Sequence, residues 1–497
     1  MRRSLTSALL ALTIFGSTGL GAEPATSVPA NPPTVSRLAD SKAVRTRLGL
    51  LPAYDDLTRV ESIKVAVLDY GFEGMGRGRP YLPEGAVVVE HYEPEFVRRN
   101  GLGDPQYRKP FEPGNSHGRT MAQIVWAVTG SRSKGPKFFL LNANGPTMLR
   151  RAVRYAIEER VDLILFSGSF EGGGDGDGRG PINRVVSDAV GAGIIWINAA
   201  GNYGHRVYNG PIRPLADGYL RLRDGSDVAS LRLKNRVDEN TLTVTLTWND
   251  YRGDEDSGTN KDLDLYVEDW AGRRVGSGEK VQVAGDRAAG SDESRNPRER
   301  VVLTDLAANP DAADSTYRIR VRAKSGRFAA DDRIRILVTA THEGYVPVGG
   351  NAPVDAIEFV DASGSGEVFP PADHPLVLTV GDGSPGSSIG PTADGRIKPE
   401  VIIEDSRAYF TDGQASAGSS NAAAYFAGIV AVLKAAEPGL LASDVRRISH
   451  RGVAIRRAGK PGEIVPALTT AEAARDGSRL WTTPSRAALA GTVRGGR

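Results

Sequence analysis

Four polar residues in this 497-residue chain stand where acyl-transfer chemistry could be done. Ser420 lies in Gly418-Ser419-Ser420-Asn421-Ala422-Ala423-Ala424-Tyr425-Phe426-Ala427-Gly428, at the start of an expected buried helix. Ala422, Phe426, Ile429 and Leu433 recur behind it on one helical face. A hydroxyl there sits beside free main-chain N–H groups and the positive end of the helix dipole, which favour a developing negative charge. Serine is a weak nucleophile unless a base takes its proton, and an imidazole acting as base needs an acid to orient it. Among six histidines (His91, His117, His205, His342, His374 and His450), only His117 stands in a small-residue turn that opens a helix, Asn115-Ser116-His117-Gly118. Asp69 ends a buried apolar run, where a lone carboxylate would be costly and so calls for a partner. Asn202, after Ala199-Ala200-Gly201, could offer its side-chain amide to a tetrahedral oxyanion. Each has a plainer reading. Ser419 or Ser420 could cap the helix, Asp69 could cap a turn, His117 could simply start a helix, and Asn202 could be a left-handed turn residue. Their conjunction points to a nucleophile with its base, orienting acid and oxyanion donor.

The elements that must position these residues alternate. Ile63–Leu68 is a β-branched apolar run, and similar runs stand at 86–90, 137–142, 162–167, 194–200 and 376–380. Between them lie helical patterns at Met121/Ile124/Val125/Val128, Leu149/Val153/Ala156/Ile157 and Val185/Val186/Ala189/Val190. Strand and helix in alternation predict an α/β fold, a mostly parallel sheet flanked by helices, with its site at the carboxyl ends of the strands. Asp69 and Asn202 both follow such strand ends.

That regularity breaks between about 205 and 346. Thr241–Trp248 alternates with period two, putting Leu242, Val244, Leu246 and Trp248 on one face and threonines on the other. Short strands at 262–267, 298–303, 316–321 and 334–338 continue the pattern, which reads as an inserted antiparallel β-sandwich. Its charged residues Asp254-Glu255-Asp256, Asp262 and Asp264 could hold a structural Ca²⁺, or could be solvated turns, since no complete ligand spacing is present.

Residues 1–22 carry Arg2-Arg3, an apolar run over Ala8–Phe15 and small residues ending at Gly21-Ala22. This is the layout of a signal peptide, and it implies export to the periplasm or exterior. The expected division is therefore 1–22 signal peptide, 23–60 lead-in, 61–212 first catalytic part, 213–349 insert, 350–455 second catalytic part and 456–497 tail. The tail is Arg-, Ala- and Gly-rich and reads as loosely ordered. With 62 basic and 60 acidic residues the net charge is +2, which suggests neither a nucleic acid nor an anionic membrane as partner. No later stretch is long and apolar enough to span a bilayer. Cysteine is absent, which excludes disulfides and a thiol nucleophile.

The motifs resemble those of the subtilisin-like serine proteases, the subtilases. Val65-Ala66-Val67-Leu68-Asp69-Tyr70-Gly71 is similar to the aspartate block and Asn115-Ser116-His117-Gly118 to the histidine block. Ala199-Ala200-Gly201-Asn202 resembles the oxyanion block and Gly418-Ser419-Ser420-Asn421-Ala422 the serine block. A fifth segment, Ser387-Ser388-Ile389-Gly390-Pro391-Thr392-Ala393-Asp394-Gly395-Arg396-Ile397-Lys398-Pro399-Glu400, resembles one found ahead of the serine block in many subtilases. The order Asp, His, Ser is that of subtilisin. The resemblance covers residues 60–212 and 350–455. It implies Asp69 as orienting acid, His117 as general base, Ser420 as nucleophile and Asn202 as oxyanion donor, with polypeptide substrates and no cofactor in the chemical step. It also implies that Ser167, Gly168 and Ser169 form the strand edge that pairs with the substrate. The following Gly172-Gly173-Gly174-Asp175-Gly176-Asp177-Gly178 reads as a loop, the alternative being a flexible pocket rim.

Several positions depart from the family pattern. Ser419 replaces the usual Thr, Ala424 replaces Pro, and Arg119-Thr120 replaces Thr-His. Residues 23–60 are too short to resemble a folding-assistant propeptide. The insert resembles jelly-roll modules that some subtilases carry after the catalytic domain, through Leu246-Thr247-Trp248-Asn249-Asp250 and Asp262-Leu263-Asp264-Leu265. Between Asn202 and Ser420 it could screen the cleft or hold protein substrates. Two other classes stand beside the endopeptidase. An idle subtilase fold acting as a secreted binding or scaffold protein is opposed by the intact set of four residues. A serine esterase is opposed by the missing Gly-x-Ser-x-Gly elbow and the block order.

Overall fold

The branched and aromatic runs pair into one seven-stranded sheet, all of whose neighbours run parallel. In a computed structural model the strand order is Val88–Val89, Lys137–Asn142, Lys64–Asp69, Leu163–Phe166, Ile195–Ala199, Leu378–Gly381 and Val401–Ile402. Described are residues 41–48, 50, 58–73, 88–89, 116–130, 135–225, 227–251, 258–284, 292–309, 315–341, 345–346, 354–410, 415–450, 454–456 and 464–466. The expected signal peptide, the residues of the 23–60 lead-in before 41 and most of the tail lie outside them.

Successive side chains of the strands point to opposite faces, so each strand feeds two cores. Val65, Val67, Leu140, Leu165, Ile197 and Val380 pack under the helices His117–Thr129 and Ser419–Ala436. Ala66, Leu68, Phe139, Phe166 and Trp196 pack under Pro146–Glu158 and Pro181–Gly191. Burying each of the Val, Leu, Ile and Phe side chains fully is worth about 1.5–3 kcal/mol. The lead-in contributes as well. A helix over Ser41–Arg47 buries Val44 in the first core, and the Arg45 guanidinium donates to the carbonyls of Val128 and Gly130 at 3.4 Å.

The His117 and Ser420 helices pack directly on each other. A Cβ at Gly428 would fall 2.5 Å from Val128 Cβ, so a larger residue there would push them apart. The helix over 419–436 runs unbroken through Ala424, which is fully buried.

The insert is a sandwich of two antiparallel sheets. One orders Arg274–Gly278, Asp262–Glu268, Tyr317–Ser325, Leu231–Asn235 and Ile357–Phe359; the other orders Arg298–Leu306, Asn240–Trp248, Arg333–Ala340 and Val207–Pro211. The sandwich thus reaches outside the expected 213–349 at both ends. Ile357–Phe359, inside the expected second catalytic part 350–455, pairs with Leu231–Asn235 and not with the parallel sheet. Leu242, Val244, Leu246 and Trp248 line the sandwich core as their spacing predicts. The threonine face is not open to water. Thr243, Thr245 and Thr247 are buried as well, because that sheet also packs on the catalytic domain. Among the described residues no helix is long and apolar enough to cross a membrane.

Candidate active site

Asp69 closes its strand and is 1% exposed. Its Oδ2 lies 2.8 Å from His117 Nδ1, and its Oδ1 accepts the Tyr70 N–H at 2.8 Å. A carboxylate so withdrawn from water needs such partners. His117 can come this close because Gly118 follows it. A Cβ at that position would lie 2.6 Å from Asp69 Cβ and would also strike the Phe72 ring. The Gly118 N–H donates to Gly71 O at 2.9 Å, which ties the helix start to the turn after Asp69. With the carboxylate accepting at Nδ1, that nitrogen carries the hydrogen and Nε2 keeps its lone pair. Burial of the imidazole pulls its pKa down. The charge of Asp69 and the hydrogen bond to it outweigh that effect and hold it above the ordinary 6.5. Arg119, the departure next to this pair, is buried in the first turn of the same helix.

Ser420 is the second residue of its helix. The cap position belongs to Gly418 at φ +130°, so the capping reading of Ser419 and Ser420 does not hold. Ser420 Oγ donates to Ser167 O at 3.3 Å, and Ser167 Oγ donates back to Ser420 O at 3.5 Å. In the first turn the Ser420 N–H has no intrahelical acceptor and can serve an anion.

Asn202 is exposed, and its Oδ1 is held twice, by Ser419 N–H at 3.2 Å and by the Ser419 hydroxyl at 2.9 Å. The Ser419 hydroxyl in turn accepts Gly201 N–H at 3.2 Å. With its oxygen occupied in this way, Nδ2 is the donor the amide has left to offer; the whole amide lies against Gly418, where a Cβ would stand 3.3 Å from Nδ2 and 3.4 Å from Oδ1. Gly201 has φ +104°, a conformation that side chains resist. Ser388, from the segment that matched without an evident role, clamps this turn at both ends. Its N–H donates to Gly201 O at 2.9 Å and its Oγ accepts Tyr203 N–H at 2.9 Å.

Ser167, Gly168 and Ser169 continue the strand Leu163–Phe166 past its end, beside Ser420. Gly168 O accepts from Asn198 Nδ2 at 3.0 Å, and Ser169 Oγ lies 3.2 Å from Tyr203 OH. The glycine-rich run that follows is a loop, wedged between catalytic domain and insert. Thr245 Oγ1 donates to Glu171 Oε2 at 3.1 Å and Tyr251 N–H to Asp175 Oδ1 at 2.9 Å. Cβ atoms at Gly172 and Gly176 would strike Tyr251 and Arg335 at 2.5 Å. Burial raises the Glu171 carboxyl above its usual range, against the opposing pull of Arg300, the Thr245 bond and Arg298. Ser419, Ser388, Asn198 and Tyr203 were not singled out as site residues; the matches at positions 387–400 and 418–422 were the available signal for two of them.

The acidic residues considered for Ca²⁺ are differently placed. Asp264 Oδ2 is engaged by Tyr266 OH at 2.6 Å and by Lys324 Nζ at 3.2 Å. Among the described residues no group of three or more acidic or histidine side chains is placed to hold a metal. Asp254-Glu255-Asp256 lie outside those residues.

A sequence model of the subtilase family, Peptidase_S8, matches residues 61–454. Comparison with curated proteins finds no match. Among solved structures, the CspB protease of Clostridium perfringens is similar at 15% identity, covering 87% of this chain and 97% of that one, with a TM-score of 0.51. MycP1 with its N-terminal propeptide removed is similar at 14% identity over 90% and 98% of the two chains, with a TM-score of 0.37.

Proposed function

The chain belongs to the subtilase family of serine peptidases, and from that premise we propose that it is an exported endopeptidase acting on polypeptides through an acyl-enzyme on Ser420. The observation that carries this reading is the 2.8 Å contact between Asp69 Oδ2 and His117 Nδ1. It puts the imidazole hydrogen on Nδ1, so that Nε2 is the nitrogen able to accept a proton from Ser420. The layout of residues 1–22 supports export.

In the proposed reaction an extended substrate lies along Ser167–Ser169. Ser420 Oγ attacks the scissile carbonyl carbon as its proton passes to His117 Nε2. The imidazolium is stabilised by Asp69, which keeps its own negative charge. The carbonyl oxygen becomes an oxyanion facing Asn202 Nδ2 and the Ser420 N–H. Collapse expels the amine, which takes the proton from Nε2. Water then attacks the ester by the same route, releasing the acid and restoring Ser420. Both steps need Ser420 Oγ to leave Ser167 O for Nε2.

The test is labelling of the secreted chain with a fluorophosphonate, with the adduct located by mass spectrometry beside Ser420→Ala. The expected result is an adduct on Ser420 that the variant lacks. A folded chain that takes no label would overturn the reading in favour of an idle scaffold.

A further inference from the structure

The insert reaches the catalytic cleft by a continuous path of contacts. Leu337, on the face of the sandwich that meets the catalytic domain, packs in one buried cluster with Val207 and Phe369. Tyr203 packs against that cluster, its ring edge-on to Phe369 at 5.4 Å between centroids. The hydroxyl of Tyr203 then spans to Ser169 Oγ at 3.2 Å. The arrangement is held from outside. Arg335, two residues before Leu337, stacks its guanidinium 4.7 Å from the Phe369 centroid and donates to Val368 O at 2.9 Å and to Asn209 Oδ1 at 3.1 Å. From the other side Ser388 fixes the Tyr203 main chain.

Resting on the peptidase reading, this path has a consequence for the substrate. The scissile carbon must be within bonding reach of Ser420 Oγ, and its oxygen must face Asn202. The residue that becomes the acyl group is then confined between Ser167–Ser169 on one side and Gly201–Tyr203 on the other. Its side chain must enter the gap between those two segments. The Tyr203 and Ser169 hydroxyls, 3.2 Å apart, join those two segments across it.

We propose that the inserted sandwich builds the back wall of this slot through Leu337, Phe369 and Tyr203, with Tyr203 closing it so that the enzyme cleaves after small residues, glycine, alanine or serine. The insert is on this account part of the specificity apparatus. A wall held by two domains keeps the tyrosine upright where a lone loop residue would swing aside.

The experiment digests a proteome-derived peptide library with the full-length enzyme and reads the cleavage sites by mass spectrometry. The wild type is expected to cut after Gly, Ala and Ser, with kcat/KM for an alanyl substrate about 100-fold above its phenylalanyl counterpart. Tyr203→Ala is expected to admit leucine and phenylalanine and to narrow that ratio to about tenfold or less. Tyr203→Leu retains an apolar contact with Phe369 but cannot span to Ser169, and answers the same question if the alanine variant unfolds. Leu337→Ala, still labelled on Ser420, is expected to give an intermediate profile. Cleavage after large residues by the wild type, or unchanged preference in a labelled Tyr203 variant, would overturn the closure. An unchanged Leu337→Ala profile would overturn the role of the insert. A wild type that takes no fluorophosphonate on Ser420 would overturn the peptidase reading, and this proposal with it.

Discussion

Replacing Ser419 with alanine tests whether its hydroxyl orients Asn202, the proposed oxyanion donor. The Ser419 hydroxyl is fully buried, donates to Asn202 Oδ1 at 2.9 Å and accepts Gly201 N–H at 3.2 Å. After the substitution, Asn202 Oδ1 keeps only the Ser419 N–H at 3.2 Å. A neutral hydrogen bond contributes about 1 kcal/mol net, and leaving the Gly201 N–H without its acceptor costs about as much again. The Gly201 N–H is stranded whichever way the amide turns, so only the lost bond to Oδ1 counts, and flipped or rotated amides become about 1 kcal/mol more accessible. At 1.4 kcal/mol per factor of ten, kcat should fall by up to about fivefold. KM should change little, because the oxyanion exists only in the transition state. Asn202→Ala removes the proposed donor itself and should cost about 100- to 1,000-fold, the usual cost of losing one oxyanion donor. The decisive measurement is the double variant. If Ser419 acts only through Asn202, Ser419→Ala adds nothing once Asn202 is alanine, and the coupling equals the whole single-variant effect. Steady-state kinetics on a peptide amide would read all four corners. Ser419→Thr, which keeps the hydroxyl, should restore the rate. Additive losses, or a change confined to KM, would refute the reasoning.

Two other perturbations follow from the charges. Asp69→Asn should lower kcat by about 10⁴-fold, since the amide favours the wrong imidazole tautomer. With both raising influences on His117 gone and only burial left, the acid limb of kcat/KM should move to lower pH, read from pH–rate profiles. In the insert, burial lifts the Glu299 carboxyl from 4.5 to about 7; Gln282 and Lys280 oppose this, and Asp264 and Asp262 add to it. A carboxyl whose folded pKa is raised contributes stability that is complete below its unfolded value and is lost as pH rises through about 7. The wild type should therefore lose on the order of 1–3 kcal/mol between pH 4.5 and 8 that Glu299→Gln does not, after allowing for partial screening. Parallel thermal melts would show it, and identical pH slopes would count against it.

What could be read without the structure was whatever local pattern encodes. Asp69 and Ser420 announce themselves because a polar residue stands out at the end of a continuous apolar strand run and at the start of a helix with one apolar face. The glycines beside the site carry the same kind of signal: Gly118 and Gly428 mark places where another chain segment occupies the space of a side chain. The insert was legible as a sandwich for the same reason, but not where it stops. Val207–Pro211 and Ile357–Phe359 find their partners at Arg333–Ala340 and Leu231–Asn235, more than 100 residues away, and no local window holds that pairing. The threonine face of Asn240–Trp248 shows the limit most sharply. Period-two alternation says that one face is apolar and the other polar, and it is silent on whether water or protein meets the polar one. Here Thr245 meets Glu171, two residues beyond Ser169, and the insert comes to bear on the substrate edge. A polar strand face in an inserted domain is thus ambiguous in a way that an apolar face is not. An apolar face must be covered, whereas a threonine face folds equally well against water or a carboxylate, so only tertiary contact reveals which was selected.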